Sequence, residues 1–235
     1  MKKIEIFSRH CNFSKHSEGR ERLKGFSKEI CYKNLKKTLD KNLANITFLM
    51  DGNLDKHFLK YEKEYEVINI EGGDNTISFN STFEHVKKCN FSDDQIIYFV
   101  EDDYLHRENW TEILLEGFEL NAEYISLYDH LDKYKLPMYN KLQSKVLVSK
   151  SCHWRSVPST TGTFAVKFKT FKKHFDIYKK FIFIDKNTTK DHEMFLELWK
   201  SGSSLITCIP GFASHMDIHW LSPTINWEEV LKKYS

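Results

Sequence analysis

The sequence predicts an α/β fold, a mostly parallel central sheet flanked by helices. Three observations carry that prediction. Apolar runs of four or five residues alternate with longer stretches whose apolar residues recur at helical spacing, the order expected of parallel strands joined by helical crossovers. One run, Ile96-Ile97-Tyr98-Phe99-Val100, is apolar on both faces, as a strand covered by helices on two sides must be. With four Pro, nine Gly, no internal repeat and no Pro/Gly-rich linker, 235 residues fit one large domain.

Taken in order, Ile4-Glu5-Ile6-Phe7 reads as the first strand. Leu23, Phe26, Ile30, Leu35 and Leu39 recur at spacings of three to five and predict a helix from about Ser17 to Leu39. Ile46 to Met50 is a second strand, closed by Asp51-Gly52, and Glu66 to Ile70 a third, closed by Gly72-Gly73. A helix over Ser81 to Cys89 leads to the central strand at Ile96 to Val100. Trp110, Ile113, Leu114 and Phe118 then mark another helix, and Tyr124 to Tyr128 another strand. In the less regular second half, Lys145 to Ser149, Gly162 to Phe168 and Leu205 to Ile209 read as strands. Phe171 to Phe181 and Lys190 to Ser201 read as helices, and the C-terminal stretch packs through Trp227, Val230 and Leu231.

Composition narrows the function. The 35 basic and 33 acidic side chains nearly balance, Lys is scattered, and only five residues are Arg: Arg9, Arg20, Arg22, Arg107 and Arg155. That is not the footprint of a nucleic-acid binder. No apolar run approaches the roughly 18 to 20 residues that span a bilayer, and the N-terminus lacks the apolar stretch of a signal peptide. Five widely spaced Cys without a CxxC argue against a disulfide framework or a thiolate zinc site. The expectation is a soluble, cytoplasmic domain.

The segment richest in chemistry is Glu101-Asp102-Asp103, directly after the buried strand. Ligands of open α/β sheets bind beyond the carboxyl ends of strands, and three crowded carboxylates cost free energy unless a cation or a hydrogen-bonded group compensates them. Mg²⁺ or Mn²⁺ would do so; a solvated, helix-capping turn is the plainer alternative. Asp191 opens a helix carrying Met194, Phe195, Leu198 and Trp199. It is either a residue that favours the helix dipole or a general base aimed into a cleft. Pro210-Gly211 precedes His215 and His219, whose spacing of four would put them on one face of a helix. Ser159-Thr160-Thr161-Gly162-Thr163 is a small-residue turn that lets a ligand approach the backbone.

The order of these parts resembles that of nucleotide-sugar-dependent glycosyltransferases of the GT-A fold, family 2-like, over most of the chain. The resemblance implies that residues 1–105 form a nucleotide-binding half and 106–235 an acceptor-side half. The first strand and loop, with Ser8 and Arg9, and the acid after an early strand, Asp51, would hold the base and ribose. Glu101-Asp102-Asp103 matches a DXD-type motif as Glu-x-Asp. Asp102 and Asp103 would lie at the donor, and Asp103, Glu101 and His215 would be ligands to Mn²⁺ or Mg²⁺. Asp191 would be the general base of an inverting transfer, although Lys190-Asp191-His192 stands where an acidic pair is common. Thr161, Gly162 and Cys152-His153-Trp154-Arg155 would fall near donor or acceptor. The partners implied are a nucleotide-sugar donor and a glycan or lipid-linked sugar acceptor, with peripheral contact at the cytoplasmic face of a membrane. Three rival readings stand beside it. One is a sugar nucleotidylyltransferase, against which the loop after the first strand lacks a glycine run. The others are a metal-dependent hydrolase built on His192, His215 and His219 with Asp103 or Asp191, and a catalytically silent nucleotide-binding protein of the same fold.

Overall fold

Alternation along the first strands decides the layering. Ile4, Ile6, Phe48, Met50, Tyr98 and Val100 pack into one hydrophobic layer, while their neighbours Phe7, Leu49, Ile97 and Phe99 pack into another. Successive side chains of a strand point to opposite faces, so these strands can be buried only inside a sheet covered on both sides. A computed structural model of the chain describes residues 3–70, 72–182 and 190–235 and shows that sheet.

Its strands are β1 (Ile4–Cys11), β2 (Ala44–Asp51), β3 (Glu66–Ile70) and β4 (Ile96–Glu101) in the first half. The pair β5 (Tyr104–His106) and β11 (Ala213–His215) forms a separate ribbon. In the second half come β6 (Tyr124–Ser126), β7 (Val146–Val148), β8 (His153–Ser156), β9 (Phe164–Lys167) and β10 (Leu205–Ile209). The sheet order is β3-β2-β1-β4-β9-β6-β10-β8-β7, and only β8 and β9 run against the other strands. Seven of the nine strands therefore share one direction, although in the second half only β6 and β10 pair in parallel and the pairs made by β8 and β9 are antiparallel.

The helices are α1 (Lys28–Thr38), α2 (Asn75–Lys88), α3 (Trp110–Glu119), α4 (Asp132–Lys135), α5 (Phe168–Lys173), α6 (Phe175–Ile182), α7 (Asp191–Lys200) and α8 (Trp227–Lys232). The one facing layer is rich in phenylalanine: Phe79 and Phe83 of α2, Phe171 of α5 and Phe195 of α7 meet Phe99 and Phe164 of the sheet. In α7, Met194, Phe195 and Leu198 fill this layer. Asp191, three and four residues before the first two, lies on the same face one turn earlier, at the sheet's edge.

Three expectations shift. The helix expected from Ser17 starts only at Lys28, where the Ser27 hydroxyl caps Ile30 N–H at 3.2 Å. The preceding residues form a loop, with Gly25 at φ 87° and Arg22 bridged to Asp217. The helix expected at Ser81 begins six residues earlier, capped by Asp74, whose Oδ1 accepts from Ile77 N–H at 2.8 Å. The stretch expected as one helix from Phe171 to Phe181 is two, α5 and α6. At the C-terminus, Trp227 and Leu231 of α8 are buried as expected, and Trp227 Nε1 donates to Ser222 O at 2.8 Å. Among the described residues, no helix is long and apolar enough to cross a membrane.

His106 ties the two halves of the fold. It is fully buried, contacts Tyr98 Oη through Nε2 at 2.9 Å, and exchanges backbone hydrogen bonds with the Asn34 amide at 2.7 and 2.8 Å. Burial pulls its pKa down from 6.5 to about 3, and that of His57 to about 4. Below the ordinary histidine value the unfolded chain takes up a proton that the native state refuses. Stability is therefore full above pH 6.5 and falls as pH drops through that window. Between pH 7 and 5, His106 is expected to cost about 2 kcal/mol of stability. Urea denaturation at the two pH values measures the loss, and His106→Gln should flatten it by about that amount.

Candidate functional site

The chain leaves β1 for β2 and β3 on one side, then returns to place β4 on the other side of β1. The crevice at the carboxyl ends of β1 and β4 is the topological switch point, where connections diverge and leave room for a ligand. Register brings the ends abreast: Cys11 lies beside Asp51, and Arg9 beside Glu101. Here a cleft of about 920 Å³ opens, and Arg9, Asp51, Asp103, Thr161, Asp191 and His215 are among the residues that line it.

The acidic triplet sits at its floor, and each acid has its own resident cation from the N-terminal segment. Glu101 pairs with Arg9, which also donates to Asn75 Oδ1 at 2.8 Å and stacks over Phe79. Asp102 is buried and accepts from Lys28 Nζ at 2.8 Å and Cys11 N–H at 3.0 Å. Asp103, also buried, accepts from Arg22 Nη2 at 2.8 Å, and His215 Nε2 stands 2.9 Å from the same oxygen. Burial alone would raise both aspartates. For Asp102 burial prevails, reinforced by the neighbouring Asp103, so its pKa is raised despite Lys28. For Asp103, His215 and then Arg22 outweigh burial and hold the carboxyl well below its usual range.

Distant sequence reaches the cleft through strand pairing. β11 runs antiparallel to β5 with His215 opposite Tyr104, and Met216 N–H donates to Asp103 O at 3.0 Å. This ribbon, and not a helix, carries His215 to the acids. His219 is instead turned to Glu21 at 3.2 Å, and His192 to Ser159 at 2.9 Å. The three histidines of the hydrolase reading are therefore not assembled.

β9 starts beside the end of β4, with Phe164 opposite Phe99, which puts Thr161 and Gly162 at the same edge. Thr161 Oγ1 meets Tyr104 Oη at 2.9 Å. A Cβ on Gly162 would come 2.5 Å from the Phe79 ring, and one on Gly72 would come 1.8 Å from the Asp51 carboxylate. Asp51 Oδ1 accepts from Gly73 N–H at 3.0 Å, so the turn after β3 is folded onto that acid. Asp191 faces the cleft from the first turn of α7; Thr188 and Thr189 before it lie outside the described residues.

Most of the residues expected at the site are thus together: Arg9, Asp51, Glu101, Asp102, Asp103, Thr161, Gly162, Asp191 and His215. Ser8 is not. The period of β1 sends it to the face opposite Arg9, where it is buried against His10 Nε2 at 2.9 Å. Arg155 also stays out of the cleft, binding Asp129 at 2.7 Å, one residue from the cleft-lining His130. What the sequence reading did not place here is the basic segment itself, Arg20, Arg22 and Lys28, together with Asn75 and Trp220. One signal was available: three of the five Arg fall within the first 22 residues.

The expected metal set, Asp103, His215 and Glu101, does not fit a resident divalent ion. Glu101 is engaged by Arg9. Arg22 donates to Asp103 Oδ2, and Arg20 Nη1 lies 2.9 Å from His215 Nε2, so a guanidinium stands on one donor atom of each remaining residue. Hard divalent ions take about six oxygen-rich ligands. Among the described residues, no group of three or more His, Cys, Asp or Glu is disposed to hold one.

Neither a protein-family model nor a curated protein matches the sequence. Among solved structures the chain is similar to CMP:2-keto-3-deoxy-manno-octonic acid synthetase complexed with CTP. The TM-score is 0.53 and the identity 14%, over 89% of this chain and 92% of that one. It is also similar to GalNAc-T7 with UDP, GalNAc and Mn²⁺, with a TM-score of 0.59 and 11% identity over 90% of this chain. Only 42% of the latter chain is spanned. At these identities the likeness establishes the fold alone, an α/β fold of the GT-A kind.

Because Asp102 is buried, removing its cation leaves an acid that must either stay charged without a partner or bind a proton. Lys28→Ala is therefore expected to destabilise the protein by about 3 kcal/mol, the low end for a broken buried pair because Lys28 is partly exposed. Lys33→Ala, which removes an exposed pair with Glu29, should cost less than about 0.5 kcal/mol. Equilibrium urea unfolding of both variants checks the contrast.

Proposed function

We propose that the protein transfers a sugar from a nucleotide-sugar donor to an acceptor hydroxyl, with inversion at the anomeric carbon. The observation that carries this reading is the meeting of Asp191 with the paired acids of the switch point across one cleft. Crevices at strand carboxyl ends suit nucleotides, and this one presents cations where a diphosphate would lie and a carboxylate on the opposite wall.

In this reading residues 1–105 hold the nucleotide, with Asp51 and the turn at Gly73 toward base and ribose. Residues 106–235 supply Asp191 and the acceptor side, where Trp220 and His130 form an aromatic wall with ring centroids 5.5 Å apart. An aromatic face suits the apolar face of a sugar ring. The acceptor, a glycan or lipid-linked sugar, attacks the anomeric carbon as its hydroxyl proton passes to Asp191. The bond from that carbon to the diphosphate breaks, and its electron pair leaves on the diphosphate oxygen. The attack and the departure occur on opposite faces, so the configuration inverts. A general base of this kind contributes about 10² to 10⁴ in rate.

A second reading has its own observation. A basic segment follows β1 closely, with Lys15, Arg20 and Arg22, and a nucleoside triphosphate would suit it as well as a diphosphate. Sugar nucleotidylyl transfer would then release pyrophosphate when the protein is given a nucleoside triphosphate and a sugar phosphate.

Donor turnover separates the two. With water as a slow surrogate acceptor, a nucleotide sugar should yield nucleoside diphosphate and a free sugar of inverted configuration, read by proton NMR before mutarotation. Asp191→Asn should lower that rate by about 10² or more while the nucleoside diphosphate still raises the melting temperature. Retained configuration would remove the inverting mechanism. Pyrophosphate release without sugar transfer would favour the second reading.

A further inference from the structure

The three acids of the cleft floor are matched one to one: Glu101 by Arg9, Asp102 by Lys28 and Asp103 by Arg22. Among the described residues that line the cleft, these pairs leave over two cations, Lys15 and Arg20, and only Arg20 carries a planar guanidinium. Its side chain is solvent-exposed at the cleft mouth and is oriented by His215 Nε2 at 2.9 Å. It makes no ion pair among the described residues. Arg22 is held differently, behind the cleft wall, with its guanidinium over Phe26 and on Asp103.

We propose that Arg20 is the diphosphate-binding group of this site, and that the protein binds nucleoside diphosphates without a divalent cation. The proposal rests on the nucleotide-sugar reading above and adds how the leaving group is recognised. Two physical points lead to it. An acidic floor repels a diphosphate unless something neutralises it, and here the protein's own cations have done so. The guanidinium of Arg20 also presents a planar set of donors matched to phosphate oxygens. Asp103 and His215 then act as positioning residues: the first fixes Arg22, and the second stands 2.9 Å from the Arg20 guanidinium. As the donor bond breaks, charge grows on the diphosphate, and a fixed guanidinium stabilises that charge.

The test is calorimetric titration of the intact protein with UDP, GDP, CDP and dTDP and the matching monophosphates, in EDTA and in Mn²⁺. The proposal expects one diphosphate to bind in EDTA with an affinity within about threefold of that in Mn²⁺. Arg20→Ala should weaken that diphosphate by roughly tenfold or more, the monophosphate much less, and leave the unliganded melting temperature unchanged. Arg20→Lys should recover part of the loss by restoring charge without the planar fork. Binding that requires Mn²⁺ and vanishes in EDTA would overturn this inference while leaving the glycosyltransferase reading in place. Unaltered diphosphate affinity in Arg20→Ala would overturn it too. Failure of all four diphosphates in both conditions would remove the nucleotide-sugar reading as well.

Discussion

The structure depends on the neutralisation of three carboxylates at the end of a strand buried on both faces. Glu101, Asp102 and Asp103 follow Val100 without a break, and the two aspartates are buried. Uncompensated, such charges would unfold the sheet's edge or bind protons. The solution draws in a loop and a helix from the first 28 residues. Arg9 comes from the neighbouring strand, Arg22 from the loop that replaces the expected helix, and Lys28 from the first turn of α1. The same need explains why the loop is anchored at its far side to the residues just after β11, through the bridge between Arg22 and Asp217 and the hydrogen bond from Ile218 N–H to Glu21 O at 3.1 Å.

Charge and packing are coupled through the sheet register. Because β1 and β4 are in parallel register, Arg9 falls beside Glu101 and points to the α2 face, where Phe79 supports its guanidinium. The opposite face takes Ser8 and His10 into the aromatic layer with Phe48 and Phe58. Phe79 in turn lies against Gly162, so the phenylalanine-rich layer also fixes the wall contributed by the second half. A second, shallower cleft of about 600 Å³ between α3 and α8 mixes Arg107, Lys150 and Lys233 with Glu108, Glu112 and Glu116. Its basic and acidic side chains balance, whereas acids outnumber Lys and Arg in the lining of the switch-point cleft.

Where local pattern decides structure, the sequence was readable. The strands β3, β4 and β10 fall almost where their apolar runs end, and α3 and α7 where their helical periods begin. The acidic triplet, Asp191 and His215 were each visible as residues of chemical interest, and they do share a cleft. What was not readable depends on pairing across long distances. β5 and β11 are three residues each and carry no period of their own; only their pairing makes them strands and delivers His215. The apolar spacing of Leu23 and Phe26 imitates a helix, yet Leu23 belongs to a small cluster with Trp227 and Leu231 that a loop serves as well. The compensating charge was expected as a bound ion because carboxylates advertise metals, whereas a scattered basic side chain shows its partner only after folding.

The account stands on a ligand lying at the switch point, and hydrogen–deuterium exchange read by mass spectrometry tests this most directly. UDP, GDP, CDP and dTDP would be added in turn. The account predicts slowed exchange in peptides covering residues 9–22, 72–79, 101–104 and 213–217 with at least one of them, and little change around α3 and α8. Protection confined to the cleft between α3 and α8, or exchange unaltered at all four switch-point segments, would contradict it.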